Sequence, residues 1–150
     1  DGSVDRLGKR IGFGRVVRLG ANPSHRPECA VRAKPALVGA MKFAWPVAPM
    51  RPLRLLAPPE RIEAITLIPP GDAGDPPAWF RWRRVDHRIH AAEGPERIAP
   101  EWWLRAGRTR DYWRVEDTKG GCFWIYRHGF AHHRRPPHRP PQWYLHGFFG

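Results

Sequence analysis

DYWRVEDTKGGCFWIYR, residues 111–127, places two short apolar runs on either side of a glycine-containing turn. Residues 111–116 and 122–127 have the length and the apolar content of β-strands. The DTKGG between them supplies the residues that a tight reversal of the chain needs. These residues therefore predict a β-hairpin.

Three further strands extend this pattern outward from the hairpin. Residues 60–68 form an aliphatic run, residues 78–90 alternate along the chain, and residues 142–149 form a closing aromatic run. Residues 93–104 contain Pro100, which is suited to the first turn of a helix. We therefore expect a mainly β fold, a small five-stranded antiparallel barrel or bent sheet with one short helix.

Seven of the eight tryptophans lie between residues 79 and 143. Each large aromatic side chain can bury roughly 150–250 Å², so this part of the chain can supply a core. We assign the folded, tryptophan-rich β domain to residues 60–150.

Prolines concentrate in residues 20–60, at positions 23, 27, 35, 46, 49, 52, 58 and 59. Proline donates no backbone hydrogen bond and forces its predecessor into extended geometry, so this segment is not expected to form helix or central strand. Upstream, Leu7 and Ile11 have helical spacing and residues 16–19 resemble a strand, but neither pattern is long enough to stand alone. We predict that residues 1–59 form a junction and a proline-rich extended arm.

The chain is strongly basic, because 26 Lys and Arg residues oppose 14 Asp and Glu residues, for a formal net charge of +12. Most of the basic residues are arginines, which bind phosphate through a planar fork and stack on aromatic rings. This composition favours nucleic acid or an acidic protein surface as the partner. No apolar run has the length of a transmembrane helix, and two cysteines without CxxC spacing fit a reducing compartment. We expect a cytoplasmic protein with no membrane partner.

Catalytic and metal-binding patterns are weak. Glu93, Glu96 and Glu101 cluster in sequence, but each lies near arginine or a helix start, and surface pairing explains them. The serines lie in the N-terminal part, and no GxSxG turn is present. The histidines and cysteines do not form the two closely spaced pairs that a zinc site needs. We therefore predict a chain that is not an enzyme and has no metal and no cofactor.

A candidate nucleic-acid site runs along residues 78–90. Basic side chains there interleave with aromatic ones, the combination by which proteins bind a single strand through phosphate contacts and base stacking. In an unbroken strand, Phe80, Trp82 and Arg84 would face one side of the sheet and the odd-numbered residues would face the other. A core of tryptophans with a solvent face of arginines is the alternative explanation and stays open. The candidate residues are Trp79, Arg81, Arg83, Arg84 and Arg88.

A candidate site for a partner protein lies beside the predicted helix. Trp102 and Trp103 are adjacent, and two neighbouring tryptophans do not easily point into one core. Trp and Arg are over-represented among the residues that dominate binding energy at interfaces. We therefore predict that Trp102, Trp103 and Arg105 contact a partner.

Two sequence motifs form a specific combination: AEGPERIAPEWW (92–103) is followed by RDYWRVED (110–117). RPLRLLAPPERIEAI (51–65) and WYLHGFFG (143–150) accompany it in a fixed order and spacing. Together these stretches resemble the C-terminal region of ImuB-like proteins, and residues 6–36 resemble the place where the little-finger region of that family ends.

The resemblance implies a role in error-prone translesion DNA synthesis. ImuB-like proteins are Y-family polymerase homologues that have lost polymerase activity and act as a hub. The implied partners are an ImuA-type RecA-like protein and an error-prone DnaE-type polymerase, with single-stranded DNA as the alternative. Palm, fingers and a clear clamp-binding pentapeptide are absent from these residues, so clamp binding is not carried over.

Overall fold

The computed structural model describes residues 2–37, 50–65, 75–103, 106–129 and 142–150. The chain divides into two compact units, Asp1–Ala48 and Pro49–Gly150. The predicted boundary between residues 59 and 60 falls inside a strand of the second unit.

The N-terminal unit contains a helix and a hairpin. Helix α1 (Gly2–Ile11) is followed by strands β1 (Val17–Ala21) and β2 (Val31–Pro35), which pair antiparallel. Short 3-10 turns occupy Phe13–Arg15 and Pro27–Cys29. The prediction of an extended arm from residue 20 is wrong here, because β1 supplies a partner that lets the proline-containing β2 form a strand. Within the described ranges, no helix is both long enough and apolar enough to cross a bilayer.

Six antiparallel strands build the C-terminal unit. They pair in chain order, and the last strand returns to the first, so the ring closes. Register shifts interrupt three of the ladders, which makes the ring a bent sheet rather than a regular barrel. The expected mainly β class is confirmed. The strands are β3 (Arg54–Ile65), β4 (Trp79–Trp82), β5 (Val85–Ile98), β6 (Arg110–Asp117), β7 (Cys122–His128) and β8 (Trp143–Phe148).

The sixth strand arises because residues 78–90 fold as a hairpin and not as one strand. Arg83 and Arg84 adopt left-handed backbone conformations, with φ of 47° and 68°, and reverse the chain between β4 and β5. Residues 93–103 also differ from the prediction, because β5 continues to Ile98 and the described residues just after Pro100, 101–103, form no helix. The one α-helix of the described residues is α1.

Strand β3 begins inside the segment predicted to be a linker. Pro58 and Pro59 lie within it, at the register shift between Leu55 and Glu60 where the β3–β8 ladder is interrupted. Proline is tolerated at such a break because no ladder hydrogen bond is lost there. The prediction of an unpaired segment up to residue 60 is therefore wrong at its C-terminal end.

The interior of the ring is an apolar core. Phe80, Ile125 and Leu145 are completely buried, and they come from three different strands. Burying a side chain of this size contributes roughly 1.5–3 kcal/mol. The other buried members of the core are Ile62, Trp113, Val115, Phe123 and Trp143.

A second cluster covers the opposite face of β6, β7 and β8. Alternate residues of a strand face opposite sides, so Tyr112, Trp124 and Tyr126 point away from the interior core. The Tyr112 and Trp124 rings stack with centroids 4.0 Å apart, and the Tyr112 hydroxyl lies 2.8 Å from His146 Nδ1. The aromatic residues are thus divided between two faces, and both faces are covered.

Candidate interaction surfaces

Trp102 and Trp103 project from a turn after β5. They are 79% and 59% exposed, and their rings meet edge to face with centroids 5.8 Å apart. The preceding residue, Glu101, is buried, so the turn is anchored where the tryptophans begin. Two large apolar rings are therefore presented together to solvent.

This exposure distinguishes the pair from the other tryptophans that the structure describes. Trp113, Trp124 and Trp143 are each at most 3% exposed, while Trp79 and Trp82 are half-buried. Arg105, the third residue of the predicted partner site, lies outside the described residues.

The basic candidates lie on the β4–β5 hairpin and not along one strand. Trp79 pairs with Arg88 across the hairpin, and Arg81 pairs with Asp86. The Arg81 guanidinium donates to both carboxylate oxygens of Asp86, at 2.6 and 2.9 Å. This hydrogen bonding lowers the pKa of Asp86. The positive charge of Arg81 is therefore balanced locally.

Arg83 is bound to Glu60 in a similar way. Its guanidinium donates to Glu60 at 2.5 and 3.1 Å, and the Trp82 indole N–H donates to the same carboxylate at 2.7 Å. The hydrogen bonds from Arg83 and then Trp82 lower the pKa of Glu60. Arg83 also lies over the Trp82 ring, 4.7 Å from its centroid. Arg83, Trp82 and Glu60 thus form one fixed unit.

Arg84 and Arg88 are exposed, and within the described part of the chain neither forms an ion pair. The predicted stripe of five residues is therefore divided. Two of its arginines are neutralised by carboxylates, two remain available to an anion, and Trp79 is half-buried beside them.

A buried ionic group was not predicted from the sequence. Asp111, which is completely buried, accepts two hydrogen bonds from Arg97 and forms an ion pair with Arg127 at 3.7 Å. Arg127 lies over the Trp113 ring, 5.2 Å from its centroid. Burial lowers the pKa of Arg127, while Asp111 opposes that shift. This group therefore links β5, β6 and β7.

The sequence also did not predict an apolar groove that β3 forms with the β4–β5 turn and the end of β8. Its walls include Leu53 and Leu56, two apolar residues of the proline-rich segment that require cover. Among the described residues, no three His, Cys, Asp or Glu side chains are grouped as metal ligands would be.

Comparison with known proteins gives a consistent result over nearly the whole chain. The chain is 41% identical to Protein ImuB from two strains of Caulobacter vibrioides, NA1000 / CB15N and ATCC 19089 / CIP 103742 / CB 15. The alignment covers 98% of this chain and 32% of each relative. No family model matches the chain, and no solved structure matches it.

The chain thus spans about a third of the length of the curated relatives that it matches. The expected resemblance is confirmed, because the alignment covers 98% of the chain and therefore extends through both structural units. The chain corresponds to a C-terminal region of an ImuB homologue.

Proposed function

We propose that this chain is a non-catalytic interaction domain of a translesion DNA synthesis accessory protein that acts in the response to DNA damage. The observation that carries the proposal is the paired exposure of Trp102 and Trp103, at 79% and 59%. Tryptophans in an interior position would be covered, as Trp113, Trp124 and Trp143 are. Exposed aromatic pairs of this kind are typical of protein-binding sites.

The similarity to ImuB suggests which proteins to test as partners. We propose the ImuA-type RecA-like protein and the error-prone DnaE-type polymerase. Trp102 and Trp103 would supply the apolar contact, and Arg105 would add a positive charge beside them. Such a contact depends mainly on apolar burial, so its affinity should change little with salt.

Binding measurements with the purified chain and each partner test this proposal. The double variant Trp102→Ser/Trp103→Ser should lose at least about tenfold in affinity, equivalent to about 1.4 kcal/mol. Ile65→Ser is a matched control, because Ile65 is 49% exposed on a different part of the ring. Unchanged affinity of the double variant for both partners would overturn the site assignment.

A second candidate function is non-specific binding of single-stranded DNA through Trp79, Arg81, Arg83, Arg84 and Arg88. The exposure of Arg84 and Arg88, together with the net charge of +12, supports it. Its affinity should fall as the salt concentration rises. The logarithm of the binding constant should decrease linearly with the logarithm of the salt concentration, with a slope of about 0.7 per neutralised phosphate. Fluorescence anisotropy with an oligothymidine separates this function from the first, since a protein-only domain shows no binding at physiological salt.

A further inference from the structure

An open groove of about 430 Å³ lies beside the β4–β5 turn. In the described part of the chain, β3 pairs with β4 only from Glu63 to Ile65. The N-terminal half of β3 therefore extends past that ladder and leaves a gap. Trp82 and Arg83 of the groove precede β5, whereas Trp102 and Trp103 follow the end of that strand. Its lining includes Leu53, Arg54, Leu56, Trp82, Arg83 and Phe148.

The aromatic part of the groove is held in a fixed arrangement. The Trp82 and Phe148 rings are tilted, with centroids 5.2 Å apart. The Trp82 indole donates to Glu60, and Arg83 covers the same ring. Because these contacts are already formed, ligand binding would cost little conformational entropy of the protein side chains.

The rest of the groove is apolar at the wall and basic at the rim. Leu53 is 86% exposed, which is unusual for a leucine next to an aromatic surface. Arg54 is exposed, and the Arg83 side chain is 64% exposed despite its ion pair. A ligand that complements this surface combines an apolar side chain with negative charge.

We propose that this groove binds an acidic peptide segment of a partner protein, with a large apolar side chain inserted between Leu53 and the Trp82–Phe148 rings. Aliphatic walls suit a leucine-sized or phenylalanine-sized side chain, and a volume of this size accommodates one or two of them. Arg54, which is exposed at the rim, would pair with a flanking Asp or Glu, while Arg83 keeps its ion pair with Glu60. This inference goes beyond the proposed function, because it concerns a separate surface.

The aromatic contacts favour a peptide over a nucleic acid as the occupant. Single-strand binding uses aromatic faces that are open for base stacking. Trp82 is already engaged by Arg83 at 4.7 Å and by Phe148 at 5.2 Å. The remaining wall is built from leucines, which offer no stacking surface.

Selection from a random peptide phage library, against the full chain at physiological salt, tests the proposal. The enriched peptides are then synthesised, labelled and measured by fluorescence anisotropy. They should carry acidic residues around one or two large apolar ones. Leu53→Glu and Arg54→Glu should each weaken binding by about tenfold or more. Leu19→Glu and Arg32→Glu are the matched controls and should leave the affinity unchanged, because neither residue lines the groove.

Three results would overturn the proposal: failure to enrich acidic apolar peptides, full affinity of the Leu53→Glu and Arg54→Glu variants, or competition by an oligothymidine that binds the groove more tightly. Hydrogen exchange of the unsubstituted chain provides a readout that does not depend on variants folding. Bound peptide should slow exchange in residues 53–56 and 82–84, and protection only elsewhere counts against the groove. The Trp102→Ser/Trp103→Ser variant should still bind the peptides, so failure of the tryptophan-pair site and failure of the groove are distinguishable.

Discussion

His87 Nδ1 lies 2.8 Å from Asp117 Oδ2, and this contact joins β5 to the end of β6. The other Asp117 oxygen accepts the backbone N–H groups of Lys119 and Gly121, at 2.9 and 2.8 Å. One buried carboxylate thus organises the β6–β7 turn and attaches it to the neighbouring strand. The Asp of DTKGG is therefore part of the packing as well as the first residue of the turn.

Replacing this carboxylate should destabilise the C-terminal unit. Asp117→Ala removes three hydrogen-bond acceptor contacts at a side chain that is 4% exposed. Buried hydrogen bonds to a charged group contribute about 1.5–3 kcal/mol each, with strong non-additivity, so we expect a loss of about 2–4 kcal/mol. Urea unfolding followed by tryptophan fluorescence measures it. A loss below about 1 kcal/mol would show that the turn does not depend on Asp117.

The same residue predicts a pH dependence. Burial alone would raise the pKa of Asp117, but the hydrogen bonds from His87, Gly121 and Lys119 outweigh it and the pKa is lowered. A carboxyl whose pKa is lower when folded stabilises the fold above its ordinary pKa, and this stabilisation is lost as the pH falls through the folded value. The difference in unfolding free energy between the native chain and Asp117→Asn should therefore shrink as the pH falls below about 4. A difference that stays constant down to strongly acid pH would contradict the lowered pKa.

Asp111 should be more sensitive to substitution than a surface carboxylate. Asp111→Ala leaves Arg127 in a completely buried position without its Asp111 ion pair. Breaking a buried pair on one side costs about 3–5 kcal/mol. Asp86→Ala breaks the exposed Arg81–Asp86 pair and should cost much less, because solvent screens an exposed ion pair. Chemical denaturation of both variants makes the comparison, and equal losses would contradict the structural role of the buried group.

Some parts of the fold could be predicted because their signals are local. The β6–β7 hairpin lies within 19 consecutive residues, 110–128, and its register matches the two apolar runs. The start of β3 could not be predicted in this way, because Arg54 pairs with Phe148 at the far end of the chain. The prolines in that strand predict a linker from sequence alone. The strand accommodates them at the register shift between Leu55 and Glu60, which the sequence does not indicate.

The candidate sites also differ in whether their sequence signals are local. The exposure of Trp102 and Trp103 was anticipated because two adjacent tryptophans conflict with a single core. The groove was not anticipated, since Leu53, Trp82 and Phe148 come from three separate segments. The neutralisation of Arg83 depends on Glu60, which lies on another strand, and no local pattern indicates that pairing.

The β4–β5 turn was missed because Arg-Arg does not have the composition of a tight turn, and this leads to the final prediction. Arg84 has φ of 68°, a conformation that costs a non-glycine residue roughly 1–2 kcal/mol. Arg84→Gly relieves that strain, although glycine gains freedom in the unfolded chain, so we expect the unfolding free energy to rise by about 0.5–1 kcal/mol. Arg88→Gly removes another exposed arginine, from the extended strand β5, and should lower the unfolding free energy by about 0.5–1 kcal/mol. Both variants lose one positive charge, so thermal or urea unfolding separates backbone strain from charge. A loss of stability in both variants would show that the turn is not strained at Arg84.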